Sequence, residues 1–282
     1  MADKYKADTS KRALLRSAFF VYLLISAAIT DASELRCEAD RTDYRARVKT
    51  VYDGDTVLLE NGEKIRLIGV NTPEMARYGK PAEPGAIDAT RRLRQLLRNQ
   101  GNVLKLRLDT ETMDRYDRLL AHAFLDNGQS ITAWLLQQGL GVRISVPPNL
   151  WNLSCYRQAE QLAREAKRGL WGPSGALGKP PLSRNLPART RGFRVVEGRV
   201  IKLGESRKSV WLNLSGRLSL RIAKSDLLHF RNRPPRSYLK KYILVRGWIY
   251  PGKRGSLTMR LRHPADIEIL PYQLRSIPNE PP

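Results

Sequence analysis

Apolar residues along this chain repeat with two periods, and the switches between them mark its elements. From residue 45 to 72 the apolar positions alternate with period two, as in half-buried strands. Val48–Val51, Thr56–Leu59 and Lys64–Val70 read as three of them. Asn61-Gly62 between the second and third is a strong hairpin signal, because a two-residue turn of this kind needs positive φ. A loop rich in Pro and Gly follows, Met75 to Pro84. Ala86, Ala89, Leu93, Leu96 and Leu97 then recur at helical spacing, with Arg91, Arg92, Arg94 and Arg98 on other faces. Val103–Leu108 and Leu119–Leu125 predict another strand pair, closed by Asp126-Asn127-Gly128. Ser130 is placed to cap a short helix, Ile131 to Gln138, which Gly139 ends. A longer helix runs from about Leu153 to Arg168, with Gly169 as its stop. Five strands and three helices in this order predict an OB-type barrel followed by helices.

From Pro173 to Arg191 six Pro and Gly residues predict a linker. Beyond it, Arg194–Leu203, Val210–Leu214, Leu218–Ala223, Tyr242–Tyr250 and Leu257–Leu261 read as strands, with a short helix at Ser225–Phe230. They predict a second small OB-like barrel over residues 192–272, with 273–282 as a tail. The expected class is therefore mainly β with α (α+β), and 282 residues suffice for two cores. Arg199, Lys202, Arg221, Arg246, Arg260 and Arg262 fall at outward positions of this second unit, near Trp211, Trp248 and Tyr250. That mixture suits stacking and phosphate contact, although most such aromatics serve as core.

Charge sharpens the choice of partner. Fifty Lys and Arg against 27 Asp and Glu give a net charge of +23, which favours nucleic acid or another anionic surface. Five basic residues, Lys4 to Arg16, precede an apolar run from Ala18 to Ile29 and then Thr30-Asp31-Ala32. These are the parts of an export signal over residues 1–32, whose apolar stretch is about 7–15 residues. A spanning helix needs about 20, so a short anchor at residues 18–29 is the alternative. The expectation is a secreted or periplasmic protein with no stable membrane insertion after cleavage. Cys37 and Cys155 both lie beyond that signal and permit one disulfide; two buried thiols are the other possibility. Neither the cysteine spacing nor the scattered His122, His229 and His263 makes a zinc site, and the histidines form no general-base pair.

The densest chemistry lies in residues 51–74. It holds Asp53 and Asp55, Arg66, Asn71 and Glu74 on one predicted hairpin scaffold. Acidic groups at a hairpin rim suit a hard cation. An arginine and a glutamate beside them suit attack on a phosphodiester.

Asp53-Gly54-Asp55-Thr56, Arg66-Leu67-Ile68-Gly69-Val70-Asn71-Thr72-Pro73-Glu74 and Asp114-Arg115-Tyr116-Asp117-Arg118 resemble the staphylococcal nuclease (thermonuclease) family. Tyr78-Gly79, Pro81-Ala82-Glu83, Gln138-Gly139-Leu140 and Gly169-Leu170-Trp171 add to the resemblance, which spans about residues 43–172. It implies a calcium-dependent phosphodiesterase on an OB-type barrel, acting on DNA and RNA. Asp55, Asn71 and the Thr72 carbonyl are then the implied calcium ligands. Arg66 and Arg118 grip the phosphate, Glu74 activates water, and Arg115 and Tyr116 are placed as substrate contacts.

Two departures stand out. Asn71 occupies a position where the family carries aspartate, which removes one negative charge and predicts weaker calcium binding. Val142-Arg143-Ile144-Ser145 stands where the family carries nucleotide-contacting tyrosines. The rival reading is a non-catalytic nucleic-acid binding protein on the same scaffold, and a membrane-tethered DNA-uptake or adhesive role is a third.

Overall fold

A computed structural model describes residues 35–271; the expected signal or anchor and the tail lie outside the described residues. The first unit is a closed barrel of β1 (Tyr44–Val51), β2 (Thr56–Leu59), β3 (Lys64–Leu67), β6 (Leu119–Phe124) and β5 (Val103–Met113), in that order round the barrel. All neighbours are antiparallel except β3 and β6, where Arg66 lies opposite Leu120. Val57, Leu59, Ile65, Leu67, Leu104, Leu106 and Ala121 point inward and are fully buried, as the alternation predicts.

The strand expected over Lys64–Val70 is broken. Gly69 sits at φ +87°, and a Cβ there would lie 2.6 Å from the Tyr156 ring, so the chain must turn at a glycine. It restarts as β4 (Val70–Asn71), which leaves the barrel and pairs with β7 (Val142–Arg143). This two-residue ladder places Asn71 opposite Val142 and Val70 opposite Arg143.

Three helices pack outside: α1 (Ala86–Asn99), α2 (Ile131–Gln137) and α3 (Leu153–Glu165). The Ser130 hydroxyl accepts the Ala133 N–H at 3.2 Å, which is the expected cap of α2. A disulfide joins Cys37 to Cys155 on α3, with Cα atoms 5.8 Å apart. His122 is buried, with its ring 2.8 Å from the Tyr156 hydroxyl and 3.3 Å from Asp109, and it belongs to this packing.

The second barrel closes in the same order: β8 (Gly192–Ser206), β9 (Ser209–Leu214), β10 (Leu218–Ala223), β12 (Leu257–Leu261) and β11 (Tyr242–Pro251). Its parallel pair is β10 with β12, and β13 (Ile267–Ile269) adds to the beginning of β11. Leu212, Leu214, Leu220, Ile222, Val245, Ile249 and Met259 form its core, closed by Phe230 and Tyr238. The segment expected as a helix at Ser225–Phe230 is a 3-10 stretch, Lys224–Phe230. The Pro- and Gly-rich segment 173–191 is packed down: Leu186 enters the second core and the Glu197 N–H reaches the Pro181 carbonyl at 3.0 Å.

One outward residue of the second barrel is not exposed. Arg246 is 1% exposed because the outer side of β11 lies against the first unit. Its guanidinium meets both Glu160 oxygens at 2.6 Å and also bonds Glu268. Arg164 joins Glu268 at 2.6 Å, and Arg143 donates to the Ala265 carbonyl at 2.7 Å. Around these ions Val142, Ala163, Leu170 and Trp171 pack against Val195 and Leu244. The alternation marks Arg246 as outward from its own barrel, but it does not reveal what covers that side.

Candidate active site

The turn between β1 and β2 presents two carboxylates within three residues. Asp53 accepts the Asp55 N–H at 3.0 Å, an Asx-type turn that points Asp55 inward. Gly54 is required here by close approach, since a Cβ would lie 2.7 Å from the Thr72 side chain. The Asp55 carboxylate is 8% exposed and fully engaged. One oxygen takes the Thr56 hydroxyl at 3.2 Å and the Arg66 Nε at 3.1 Å. The other takes the Thr72 N–H at 2.7 Å and its hydroxyl at 3.1 Å. Three hydrogen bonds and one ion pair thus hold the carboxylate in place.

Arg66 is fixed from behind by carbonyls. Its Nη1 donates to Leu67 at 2.5 Å and to Val70 at 2.8 Å, and its Nη2 lies 3.4 Å from the Asn71 amide oxygen. The Asn71 amide nitrogen in turn donates to the Thr72 carbonyl at 3.3 Å. The break at Gly69 makes this possible, because it brings Val70 and Asn71 back over the arginine on β3.

Arg118 arrives from the turn before β6. Asp114 organises that turn by accepting the Tyr116 and Arg118 N–H groups at 2.8 and 3.1 Å, while its second oxygen holds the Arg118 Nε at 2.8 Å. The Arg118 Nη1 reaches the Thr56 hydroxyl at 3.5 Å, which links the second arginine to the Asp55 group. The Tyr116 ring has two guanidinium groups nearby, with centroid distances of 4.8 Å to Arg115 and 5.5 Å to Arg118. It is 61% exposed and free to meet a flat ligand.

Glu74 completes the set from the loop after β4. Its N–H is held by the Glu83 carboxylate at 3.1 Å and its carbonyl by the Glu83 N–H at 2.9 Å. Desolvation raises its pKa, and the Asp55 charge raises it further, against the pull of Arg66 and Arg118. Asp53 is pushed up to about 6, first by burial and then by Asp55. Burial is the larger cause for both, and the neighbouring Asp55 charge adds to it.

The sequence-predicted residues Asp55, Arg66, Asn71 and Thr72 form one hydrogen-bonded group, Arg118 touches it through Thr56, and Glu74 shares its field. Arg115 and Tyr116 stand on the adjoining turn. Sequence reasoning gave no role to Asp114, which aims Arg118, or to Glu83, which fixes Glu74. The Asp-x-x-x-Arg spacing of a turn was the available signal for the first; nothing local signals the second. Among the described residues, no three of Asp, Glu, His and Cys are grouped as a metal-binding cluster. Any cation here depends on amide and backbone oxygens as well as on carboxylates.

Comparison with known proteins agrees with this geometry. The family model described as staphylococcal nuclease homologue matches residues 64–173, which include Arg66, Asn71, Thr72, Glu74 and Arg118. The chain is 32% identical over 136 residues to the thermonuclease of Staphylococcus intermedius, covering 46% of this chain and 79% of that protein. It is 36% identical over 128 residues to endonuclease YncB of Bacillus subtilis (strain 168), covering 44% of this chain and 59% of the other. A thermonuclease of Staphylococcus hyicus is 30% identical over 128 residues, with 74% of its length covered. With an aligned span that takes in most of two thermonucleases at 32% and 30% identity, the chain belongs to the staphylococcal nuclease homologue family.

Proposed function

We propose that this member of a nuclease family hydrolyses phosphodiester bonds of DNA, RNA or both with calcium, using Glu74 as the base and Arg66 and Arg118 as phosphate ligands. One observation carries the reading. Two arginines, each aimed by its own aspartate, converge beside a raised glutamate. A phosphodiester undergoing attack gathers a second negative charge, and donors already in place stabilise it without reorganisation. Planar guanidinium groups match phosphate oxygens in pairs. Glu74, whose pKa burial and the Asp55 charge raise, suits removal of a proton from water. Arg115 and Tyr116 would hold the neighbouring nucleotide by charge and stacking.

The residues present fit a hard cation. Asp55, the Asn71 amide oxygen and the Thr72 carbonyl offer oxygen donors, and Asp53 adds a second carboxylate at the same turn. Asp55 would release hydroxyl partners and Asn71 would turn its oxygen away from Arg66 to take part. Bound calcium would supply Lewis-acid polarisation of the phosphate. The decisive test is digestion of single-stranded DNA in calcium or in chelator. Hydrolysis confined to calcium is expected, and equal hydrolysis in both removes the metal from the reading.

The Asp55 carboxylate, already held by Thr56, Arg66 and Thr72, and the neutral Asn71 favour a second reading, a nucleic-acid binding protein without turnover. Glu74→Gln separates the two: the catalytic reading expects cleavage to collapse while binding persists, and the rival expects no change in either. We also infer export, supported by the Cys37–Cys155 disulfide. N-terminal sequencing of the exported protein tests it, and an intact Met1 would favour the anchor. No described helix is long and apolar enough to cross a membrane.

A further inference from the structure

The outer face of the second barrel carries two rows of side chains that its own core does not use. Strand register sets Trp211 beside Arg221, and Arg221 beside Arg260. The next row runs Asn213, Ser219, Thr258 and Tyr250. Their chain neighbours Leu212, Leu220, Met259 and Ile249 fill the core, so alternation turns both rows outward. Neither row contains a carboxylate. Trp248 lies two residues before Tyr250 on the same face, and the two are 36% and 55% exposed. Phe193, opposite Trp248 in register, meets it edge-on with ring centroids 5.2 Å apart. Arg221 is steadied through its Nε by the Ser209 hydroxyl at 2.9 Å, and Arg260 by Asp226 at 3.1 Å.

This face begins beside the catalytic loop. Arg194, the residue after Phe193, bonds Glu83 at 3.2 Å, and the other oxygen of Glu83 holds the Glu74 N–H at 3.1 Å. The ion pairs Arg246–Glu160 and Arg164–Glu268 fix the barrel that carries the face to the first unit.

We propose that Trp211, Arg221, Arg260, Trp248 and Tyr250 form a binding surface for single-stranded nucleic acid that continues the strand held in the cleft. The proposal deepens the nuclease reading and rests on it. The occupant follows from chemistry. Exposed rings stack on unpaired bases, guanidinium groups meet phosphates, and two rows without a carboxylate of their own on a chain of net charge +23 suit a polyanion. A duplex hides its base faces and gains nothing from the rings. Four strands span roughly 15 Å, room for two or three bases.

The test measures binding of fluorescein-labelled oligo-dT of four and of 20 nucleotides to the full chain in chelator, by anisotropy and tryptophan quenching. The 20-mer is expected to bind at least about tenfold more tightly, since each stacked base contributes roughly fivefold or more. Combining Trp248→Ala with Tyr250→Ala is expected to erase that preference to within about twofold. Tyr250→Phe, which keeps the ring, retains it. If the double alanine variant does not fold, Arg221→Gln with Arg260→Gln reads the same face. Its slope of log affinity against log salt is expected to fall by about 0.7 for each phosphate that the protein no longer neutralises. An unchanged length preference in the double variant overturns the proposal, as does an unchanged salt slope or a duplex that competes as well as the single strand. Binding with this preference but no cleavage in calcium would sink the catalytic reading alone. Cleavage with an unaltered preference in the variants would sink this face alone.

Discussion

The two barrels close in the same strand order, with one parallel pair at the same place, yet they offer different chemistry. In the first, the turn between its opening strands holds Asp53-Gly54-Asp55, and Asp55 binds Arg66 on the third strand at 3.1 Å. In the second, the corresponding turn is Arg207-Lys208, and Arg221 on the third strand is held by the neutral Ser209 hydroxyl. Arg118 stands two residues before Leu120, the parallel neighbour of Arg66; Arg260 is itself the parallel neighbour of Arg221. An arginine on the third strand thus has a second arginine at or just before its parallel neighbour in both units. Acids at the first turn and Glu74 nearby set the first barrel apart, while the second presents arginines and rings; on the proposed readings one hydrolyses and the other holds a strand.

The largest expected effect asks whether the two barrels are energetically separate at all. Burial pushes Glu160 up, but Arg246, Arg164 and Arg143 outweigh it and hold its carboxyl down at about 2. Arg246→Met leaves Glu160 and Glu268 without their main partner, and breaking such a buried pair costs about 3–5 kcal/mol. Thermal melts at pH 7 should show that loss as one cooperative transition shifted downward. The pH dependence has a definite sign. A carboxyl depressed by folding stabilises fully above its unfolded value near 4.5, and that contribution fades as pH falls towards 2. The gap between the two proteins should therefore narrow between about pH 4.5 and 2. Two independent transitions in the native protein would mean that the barrels are not coupled through this seam.

Next in size is the contrast between the arginines. Arg66→Lys keeps a positive charge but loses the planar pair of donors, and removing a single donor at a charged transition state costs about a hundredfold to a thousandfold in kcat. Arg221→Lys is expected to act instead on affinity for long single strands. Single-turnover cleavage measured beside oligonucleotide binding separates the two. Equal losses of turnover in both variants would erase the division of labour between the barrels.

Much of this was legible in the sequence because strand alternation and turn residues are local signals. The hairpin at Asn61-Gly62, the Ser130 cap and the order of strands in both barrels follow from such patterns. Asp55, Arg66, Asn71 and Glu74 could be named together because they lie within one short segment. Three features escaped. A two-residue ladder such as β4 with β7 has no periodicity to detect, so the break at Gly69 depended on the distant Tyr156 ring. Alternation marks Arg246 as facing outward without saying that another barrel covers it. The segment Val142-Arg143-Ile144-Ser145, which lacks the family's tyrosines, is instead part of that seam: Arg143 is buried and the Ser145 N–H reaches Asp266 at 3.1 Å.

A smaller effect concerns the disulfide, which ties down only the first unit. Cys37→Ser with Cys155→Ser opens a loop separated by 118 residues in sequence. Loss of a disulfide typically costs about 2–4 kcal/mol, chiefly through the unfolded chain. Denaturant unfolding followed by tryptophan fluorescence reads it. An unchanged midpoint would show that packing of α3 against β7 and α2 already sets the stability of that unit.

The smallest expected effect tests the acids that distinguish the barrels. Asn71 now bonds Arg66 through its oxygen and the Thr72 carbonyl through its nitrogen, so its amide bridges groups that a cation would otherwise join. Asn71→Asp removes that bridge and adds a negative charge beside Asp55. In chelator the added repulsion should lower the melting temperature, because Asp53 is already raised to about 6 by burial and Asp55. Calcium should reverse the order, with affinity tightened about tenfold, roughly 1.4 kcal/mol. Calorimetric titration and melting with and without the ion measure both halves, independently of cleavage. If the aspartate variant melts lower in chelator and gains nothing from calcium, the extra charge has no cation to meet. The acids of the first barrel would then serve only to hold Arg66, much as Ser209 holds Arg221 in the second.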